Sequence, residues 1–167
     1  MDTLLHGNVW KFGDNINTDI ISPPQYMELS IAEAAPYCMS AVNPDFAAQV
    51  RPGDILVAGN NLGSGSSRET SPLTLRYLEI QAVVACSFAR IFYRNCINLG
   101  IPALSAPRAD EIRQGDALSI DIAQGIIHNI TQQEIYPCTR LPDNIMAMIR
   151  AGGLVNHLRQ TGGCDAN

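Results

Sequence analysis

One glycine- and serine-rich segment, GSGSSRE at residues 63–69, contains the residue types best suited to binding an anion. Glycines let a backbone approach a ligand closely, and a helix that begins after such a loop presents free N–H groups and the positive end of its dipole. Arg68 adds a planar guanidinium that can hold a carboxylate through two parallel hydrogen bonds. The segment therefore predicts an anion site, although Ser66 and Glu69 fit a ligand-free capping box equally well.

The same segment argues against several common activities. No lysine follows the glycines, so it is not a Walker A loop, and Arg68 stands where a GxGxxG nucleotide loop needs its last glycine. The segment does not form a GxSxG nucleophile elbow, and His6, His128 and His157 stand in no recognisable triad context. Nucleotide binding and serine hydrolysis are disfavoured.

The glycine–serine segment lies inside a predicted strand–loop–helix–strand unit. Two apolar runs, Ile55–Ala58 and Ala82–Ala85, have the composition of strands covered on both faces, and leucines at 72–80 are spaced as in a helix. Such a crossover makes the two strands parallel neighbours and places the loop at the carboxyl edge of the sheet. Either Ser67 or Ser71 could be the N-cap of the helix, and Ser71 would put a proline at its first position.

Other patterns predict the elements around this unit. They are an apolar segment at 9–12, a turn-rich loop at 13–24, a helix at 30–39 interrupted near Pro36, a helix at 88–98, a strand at 101–104, a β-hairpin of 118–122 with 126–130, and a helix at 142–159 broken at Gly152 and Gly153. No linker divides the chain, so we expect a single domain over residues 1–167 with a frayed tail at 160–167.

Composition restricts the class of protein. The chain has 167 residues, of which 46% are hydrophobic, as expected for one folded domain. Its formal net charge of -5 argues against a protein that binds nucleic acid through phosphate contacts. No apolar run approaches the roughly 20 residues that span a bilayer, and the first residues do not resemble a secretory signal, which predicts a cytoplasmic protein. Five cysteines without a CxxC pair and three scattered histidines disfavour a metal site formed by this chain alone.

Three segments, in this order and spacing, resemble the small subunits of 3-isopropylmalate dehydratase and its homoaconitase relatives. They are GDNINTDIISP at 13–23, GNNLGSGSSRE at 59–69 and SFARIFYRNCINLGI at 87–101. The resemblance runs from about Lys11 to Leu104. It implies an α/β fold, the swivelling β/β/α domain of aconitase, with a mainly parallel central sheet, the glycine–serine loop at a strand-to-helix turn, and a C-terminal β-hairpin plus helix.

The resemblance also implies a function. The chain is expected to be the small subunit of a heteromeric hydro-lyase, inactive alone, whose large subunit carries a [4Fe–4S] cluster that acts as a Lewis acid on the substrate; this chain itself would bind no metal. The expected reaction isomerises 2-isopropylmalate and 3-isopropylmalate by dehydration and rehydration in leucine biosynthesis, in a heterodimer or heterotetramer. The alternatives are a related dehydratase with a dimethylmalate-like or unfamiliar substrate, and a noncatalytic anion-binding module of the same fold.

The family's functional residues carry over to particular positions. Ser66 aligns with the base that removes the proton next to the carboxylate, and Gly65, Ser67 and Arg68 align with the surroundings of that carboxylate. Further candidates from the first and third segments are Thr18, Asp19, Arg90 and Arg94, for which turn capping, ion pairing and subunit contact are the alternative roles.

Two departures from the family pattern concern the substrate. Thr70 replaces the usual histidine or glutamine after GSSRE, and Glu28 aligns with the arginine by which homoaconitases hold a distal carboxylate. A glutamate there would repel such a carboxylate by roughly one to several kcal/mol, depending on burial. The pattern favours a neutral, branched substituent that meets Met27 or Leu29, in a loop at 20–30 that we expect to be mobile without the large subunit.

Overall fold

The computed structural model describes residues 4–65, 70–154 and 158–159. Within these residues, seven strands form one mixed sheet. The strands are β1 (Leu4–Lys11), β2 (Ile55–Ala58), β3 (Ala82–Ala85), β4 (Ala103–Ser105), β5 (Ala117–Asp121), β6 (Ile126–Asn129) and β7 (Glu134–Pro137). Their order across the sheet is β4-β3-β2-β1-β5-β6-β7.

Helices and 3-10 turns connect the strands. The α-helices are α1 (Thr18–Ile21), α2 (Ile31–Ala34), α3 (Phe46–Gln49), α4 (Thr70–Tyr77), α5 (Arg90–Asn98) and α6 (Asp143–Arg150). The 3-10 turns are Pro24–Tyr26, Ala35–Tyr37 and Ala109–Glu111. Among the described residues, no helix is both long enough and apolar enough to cross a membrane.

Strands β1 to β4 form the parallel half of the sheet. All residues of β2 and β3 are buried, as their uninterrupted apolar sequences predict for strands covered on both faces. The two strands are parallel neighbours, with Ile55 opposite Ala82, and α4 lies between them in the chain. The predicted crossover and the α/β class are confirmed.

Strands β5, β6 and β7 form an antiparallel meander beside β1. The predicted hairpin is confirmed as β5 with β6, where buried Leu118 and Ile120 alternate with half-buried neighbours. Strand β7 and residues 4–8 of β1 were not predicted. The sheet is accordingly divided between parallel and antiparallel pairing rather than mainly parallel, because β1 pairs with β2 through its last residues and with β5 through its first.

The helix boundaries correct one sequence prediction and confirm another. Ser71 is not the N-cap of α4, because Thr70 and Ser71 are both helical. The alternative cap, Ser67, lies outside the described residues. The predicted break at Gly152 and Gly153 in the helix at 142–159 is confirmed, since α6 ends at Arg150 and the described residues beyond the glycines, Leu154, Leu158 and Arg159, are helical again. The predicted tail at 160–167 also lies outside the described residues.

Candidate functional site

The loops that follow β1 and β2 run side by side. Backbone N–H groups of Asn15, Gly63 and Thr18 donate to the carbonyl oxygens of Asn60, Ile16 and Ser64, at 2.8, 2.7 and 2.8 Å. These bonds hold the start of α1 against the glycine–serine loop. The first and second segments that carried the family resemblance therefore meet at the carboxyl edge of the parallel strands.

The loop after β3 joins them on the other side. Leu62 N–H donates to the Ser87 carbonyl oxygen at 3.1 Å, and Ala89 N–H returns a bond to the Leu62 carbonyl oxygen at 2.9 Å. The Ser87 hydroxyl oxygen also accepts a hydrogen bond from Asn61 N–H at 2.8 Å. All three segments thus converge, which is the position where open α/β sheets bind their ligands.

Thr18 and Gly65 are neighbours in this junction. Thr18 is 1% exposed, and a Cβ atom added to Gly65 would lie 3.2 Å from the Thr18 hydroxyl oxygen. Gly65 has φ of +101°, a backbone conformation that favours glycine. The adjacent Asn17 caps α1 by accepting a hydrogen bond from Ile20 N–H at 2.9 Å, while Asp19 lies on the exposed side of the helix.

A narrow pocket opens beside α1 and the start of α4. Its walls are largely hydrocarbon, contributed by residues such as Ile21, Pro23, Tyr26, Met27, Leu29 and Ile31, with hydroxyl groups from Ser22, Thr70 and Thr74. Glu28 is exposed and does not line the pocket. The structure therefore brings Met27, Leu29 and Thr70 together, and it leaves Glu28 on the outer side of the same loop.

Contacts within the chain hold the loop at 20–30, termed the pocket's outer loop. The rings of Tyr26 and Tyr37 are stacked, with centroids 3.8 Å apart and planes 9° from parallel. Ser30 and Glu33 form a capping box at the start of α2. The loop at 20–30, which was expected to be mobile without the large subunit, therefore packs against Tyr37 and is followed by a capped helix.

Arg90 and Arg94 lie outside the hydrocarbon pocket. Both are exposed on α5 and line a separate groove between α5 and α6, together with Tyr93, Ile145 and other residues. Neither arginine lines the pocket that contains Met27. The structure does not bring these two predicted site residues to the hydrocarbon pocket.

Ser66, Ser67 and Arg68 lie outside the described residues. The described residues on either side of them both belong to the site: Gly65 adjoins Thr18, and Thr70 lines the hydrocarbon pocket. The roles of the three residues stay predictions that follow from the family resemblance.

The described residues do not suit a metal cluster. No group of three or more histidine, cysteine, aspartate or glutamate side chains in the described parts of the chain could hold a metal ion. Cys38 and Cys96 are buried in the core, where desolvation raises the pKa of Cys38 to about 12 and raises that of Cys96 as well. These thiols stay protonated, whereas cluster ligands are thiolates.

Sequence reasoning missed three residues that shape the site. Asp14 accepts a hydrogen bond from Asn60 N–H at 2.7 Å and so helps to hold the two loops together. Its position in a turn-rich loop next to a strand was a usable signal. Ser22 and Tyr37 had no local signal, because their importance arises from a pocket and a ring contact made by tertiary packing.

Comparisons with known proteins agree with this geometry. A family model described as the aconitase C-terminal domain matches residues 14–109. The 3-isopropylmalate dehydratase small subunit of Nautilia profundicola is 48% identical over 158 residues, covering 94% of this chain and 95% of that protein. The methanogen homoaconitase small subunit of Methanothermobacter thermautotrophicus is 45% identical over 163 residues, covering 96% and 94%. A crystal structure of 3-isopropylmalate dehydratase from Methanocaldococcus jannaschii has a TM-score of 0.90 and 38% identity, with 98% of both chains covered.

Proposed function

Because this chain belongs to the aconitase-type family of 3-isopropylmalate dehydratase small subunits, we propose that it isomerises 2-isopropylmalate and 3-isopropylmalate together with a large subunit. The reaction removes water from one isomer and adds it back to the neighbouring carbon. It serves leucine biosynthesis in the cytoplasm.

The observation that carries this proposal is the hydrocarbon pocket next to the glycine–serine loop. An isopropyl group needs an apolar surface, and each buried methyl or methylene contributes about 0.8 kcal/mol to binding. Met27 and Leu29 offer that surface at the mouth of the pocket, and Ile21 offers it inside. The carboxylate that all these substrates share would lie on the loop itself, within reach of its N–H groups.

The chain contributes the base and the carboxylate site. Ser66 takes the proton from the carbon next to the carboxylate, as the carbon–hydrogen bond breaks, the double bond forms and hydroxide leaves the adjacent carbon. Arg68 and Ser67 hold the carboxylate through hydrogen bonds. A serine can be a base only if its alkoxide is stabilised, and Arg68 and the loop N–H groups supply that stabilisation.

The large subunit supplies the [4Fe–4S] cluster, whose Lewis acidity assists departure of the hydroxyl group. This assignment rests on the family to which the chain belongs. The chain alone is therefore inactive.

The exposed face of α5 is our proposed contact with that large subunit. Arg90 and Arg94 flank Ile91, which is 51% exposed, in a chain whose net charge is -5. The helix starts at the loop junction, where Ala89 bonds to Leu62, so the face continues directly from the site that the partner must cover. Two guanidinium groups around an apolar side chain suit an acidic surface with an apolar centre.

A homoaconitase activity is the second candidate, since a homoaconitase small subunit is about as similar to this chain. A distal carboxylate needs a cation to offset its desolvation. No lysine or arginine is among the described residues that line the pocket, and Glu28 lies beside it. The pocket favours an uncharged substituent, which a dimethylmalate-like substrate would also provide.

Reconstitution with a substrate panel tests the proposal. The chain is co-expressed with the large subunit, the cluster is reconstituted without oxygen, and conversion is measured for isopropylmalate, dimethylmalate and homocitrate. Isopropylmalate should give the highest kcat/KM. Conversion of homocitrate alone would replace this function with homoaconitase activity, and conversion of none would support the noncatalytic module.

A further inference from the structure

Among the residues that the structure describes, two hydroxyl oxygens on the hydrocarbon pocket are buried and have no hydrogen-bond partner. They are Ser22 Oγ and Thr70 Oγ1, and both residues line the pocket. The other threonine hydroxyl on the lining, that of Thr74, donates to the Thr70 carbonyl oxygen at 2.7 Å. An unpaired buried hydroxyl costs free energy that an aliphatic side chain of similar shape would avoid. The pocket thus carries more unsatisfied polarity than the binding of a hydrocarbon requires.

The backbone holds these two residues in place through one shared acceptor. The carbonyl oxygen of Thr18 accepts a hydrogen bond from Ser22 N–H at 2.8 Å and another from the Ser71 hydroxyl at 3.3 Å. The end of α1 and the start of α4 are therefore fixed to the same atom. Ser22 is one of these donors and Thr70 directly precedes the other, so both residues belong to a preorganised part of the pocket.

We propose, on the basis of the function argued above, that Ser22 and Thr70 are specificity-determining residues that let the pocket accept a branched substituent bearing a hydroxyl group in place of one methyl group. The substrate class widens from 3-alkylmalates to 3-(1-hydroxyalkyl)malates. Such a hydroxyl can accept from one of the two residues and donate to the other. The hydrocarbon walls contact the remaining carbon atoms.

A hydroxyl group can take the place of a methyl group of the substrate because the two groups have similar volumes. A purely hydrocarbon pocket binds the hydroxyl-bearing compound about a hundredfold less well than its hydrocarbon isostere, since the hydroxyl loses its water. In a pocket with two unpaired hydroxyl groups, the substrate hydroxyl forms hydrogen bonds that replace those it made with water. Discrimination between the isosteres should accordingly be small in the natural protein and large once the hydroxyls are removed.

The test compares 3-isopropylmalate with its isostere 3-(1-hydroxyethyl)malate in the assembled two-subunit enzyme. For each compound, kcat/KM and the equilibrium dissociation constant are measured with the natural chain, Ser22→Ala, Thr70→Val and the double variant. Thr74→Val is the matched control, because it makes the same change on the same pocket to a hydroxyl that already has a partner. Circular dichroism and subunit association check that each variant folds.

We expect the natural enzyme to discriminate between the two compounds by less than about tenfold. Ser22→Ala and Thr70→Val should each raise the preference for isopropylmalate about fivefold, the double variant more, and Thr74→Val should leave the preference unchanged. An unchanged preference in the double variant, in rates or in dissociation constants, would overturn the inference. Turnover of neither compound would overturn the proposed function instead, while the dissociation constants would still decide the role of the two hydroxyls.

Discussion

Gly63 lies directly against the ring of Phe92, so closely that a Cβ atom at Gly63 would overlap ring atoms. Gly63 belongs to the glycine–serine loop, and Phe92 is a buried residue of α5. The contact fixes the distance between the second and third segments of the site. Gly63 also has φ of +88°, so both sterics and backbone conformation require glycine.

Gly63→Ala should reduce the free energy of unfolding by about 3 kcal/mol, the combined effect of a left-handed alanine and an overpacked contact. Gly115→Ala is the matched control. Gly115 has φ of +85° but nothing within 4 Å of an added Cβ atom, so that change should cost only about 1 kcal/mol. Urea unfolding measures both. Equal losses would show that the Phe92 contact has no role.

The stacked pair Tyr26 and Tyr37 leads to a prediction about substrate affinity. Tyr37→Ala removes the ring that holds the pocket's outer loop, so Met27 and Leu29 lose their fixed positions. In the assembled enzyme, KM for isopropylmalate should rise about tenfold, with a smaller change in kcat. Tyr77→Ala, which removes a tyrosine that is 54% exposed and does not line this pocket, should leave KM unchanged. The same KM in both variants would contradict the role given to the stack.

The sequence could predict the parallel half of the fold because its strands are buried on both faces. The runs Ile55–Ala58 and Ala82–Ala85 contain no polar residue, and in the structure every residue of both is buried. By contrast, β7 buries only Tyr136 and ends in a proline. Residues 4–8 of β1 alternate between exposed and more buried positions, and His6 and Asn8 are among the exposed ones. Strands covered on one face leave a weaker pattern, especially when they are this short.

The parts of the site that consist of residues close together in the sequence were predictable. The parts that depend on tertiary packing were not. Gly65, Thr18 and Met27 lie in segments that stand out by composition or by family resemblance, and the structure places each at or beside the loop junction. The separation of Arg94 from the pocket depends on the direction in which α5 leaves the junction, which no local pattern encodes. The roles of these residues in catalysis stay predictions.

Asp116 predicts a pH dependence of stability. Its carboxylate is buried and accepts hydrogen bonds from Asn129 Nδ2, Gln132 Nε2 and Arg113 N–H at 2.8, 2.7 and 2.8 Å. Burial raises the pKa of Asp116, but these hydrogen bonds outweigh it and hold the pKa below its usual value. Because the folded-state pKa is the lower one, Asp116 stabilises the fold above the unfolded-state pKa of about 3.9, and this contribution is lost as pH falls through the folded-state pKa.

Asp116→Ala should therefore lower the free energy of unfolding by about 3 kcal/mol at pH 7, and the difference from the natural chain should shrink below about pH 4. Urea unfolding between pH 7 and pH 3 measures this. Asp45→Ala, at an exposed site, should change stability by less than about 0.5 kcal/mol. A difference that stays constant down to pH 3 would rule out the buried carboxylate as its source.

The proposed subunit contact on α5 is tested through its charge. Arg90→Ala with Arg94→Ala should weaken binding to the large subunit about tenfold or more, mainly by slowing association, and should reduce the dependence of binding on salt. Arg51→Ala is the control, since this exposed arginine precedes β2 at the end of the strand opposite the site. Affinity and salt dependence are measured by surface plasmon resonance. An unaltered salt dependence in the double variant would place the interface elsewhere.

The most direct measurement is the turnover number of the two-subunit enzyme with Ser66→Ala in this chain. We predict that the natural complex isomerises isopropylmalate, and that Ser66→Ala lowers kcat by about a thousandfold or more while subunit association and KM change little. Ser64→Ala, in the same loop, is the matched control and should retain most of the activity. A Ser66→Ala complex that keeps the natural kcat would contradict the assignment of the base and, with it, the mechanism proposed for this chain.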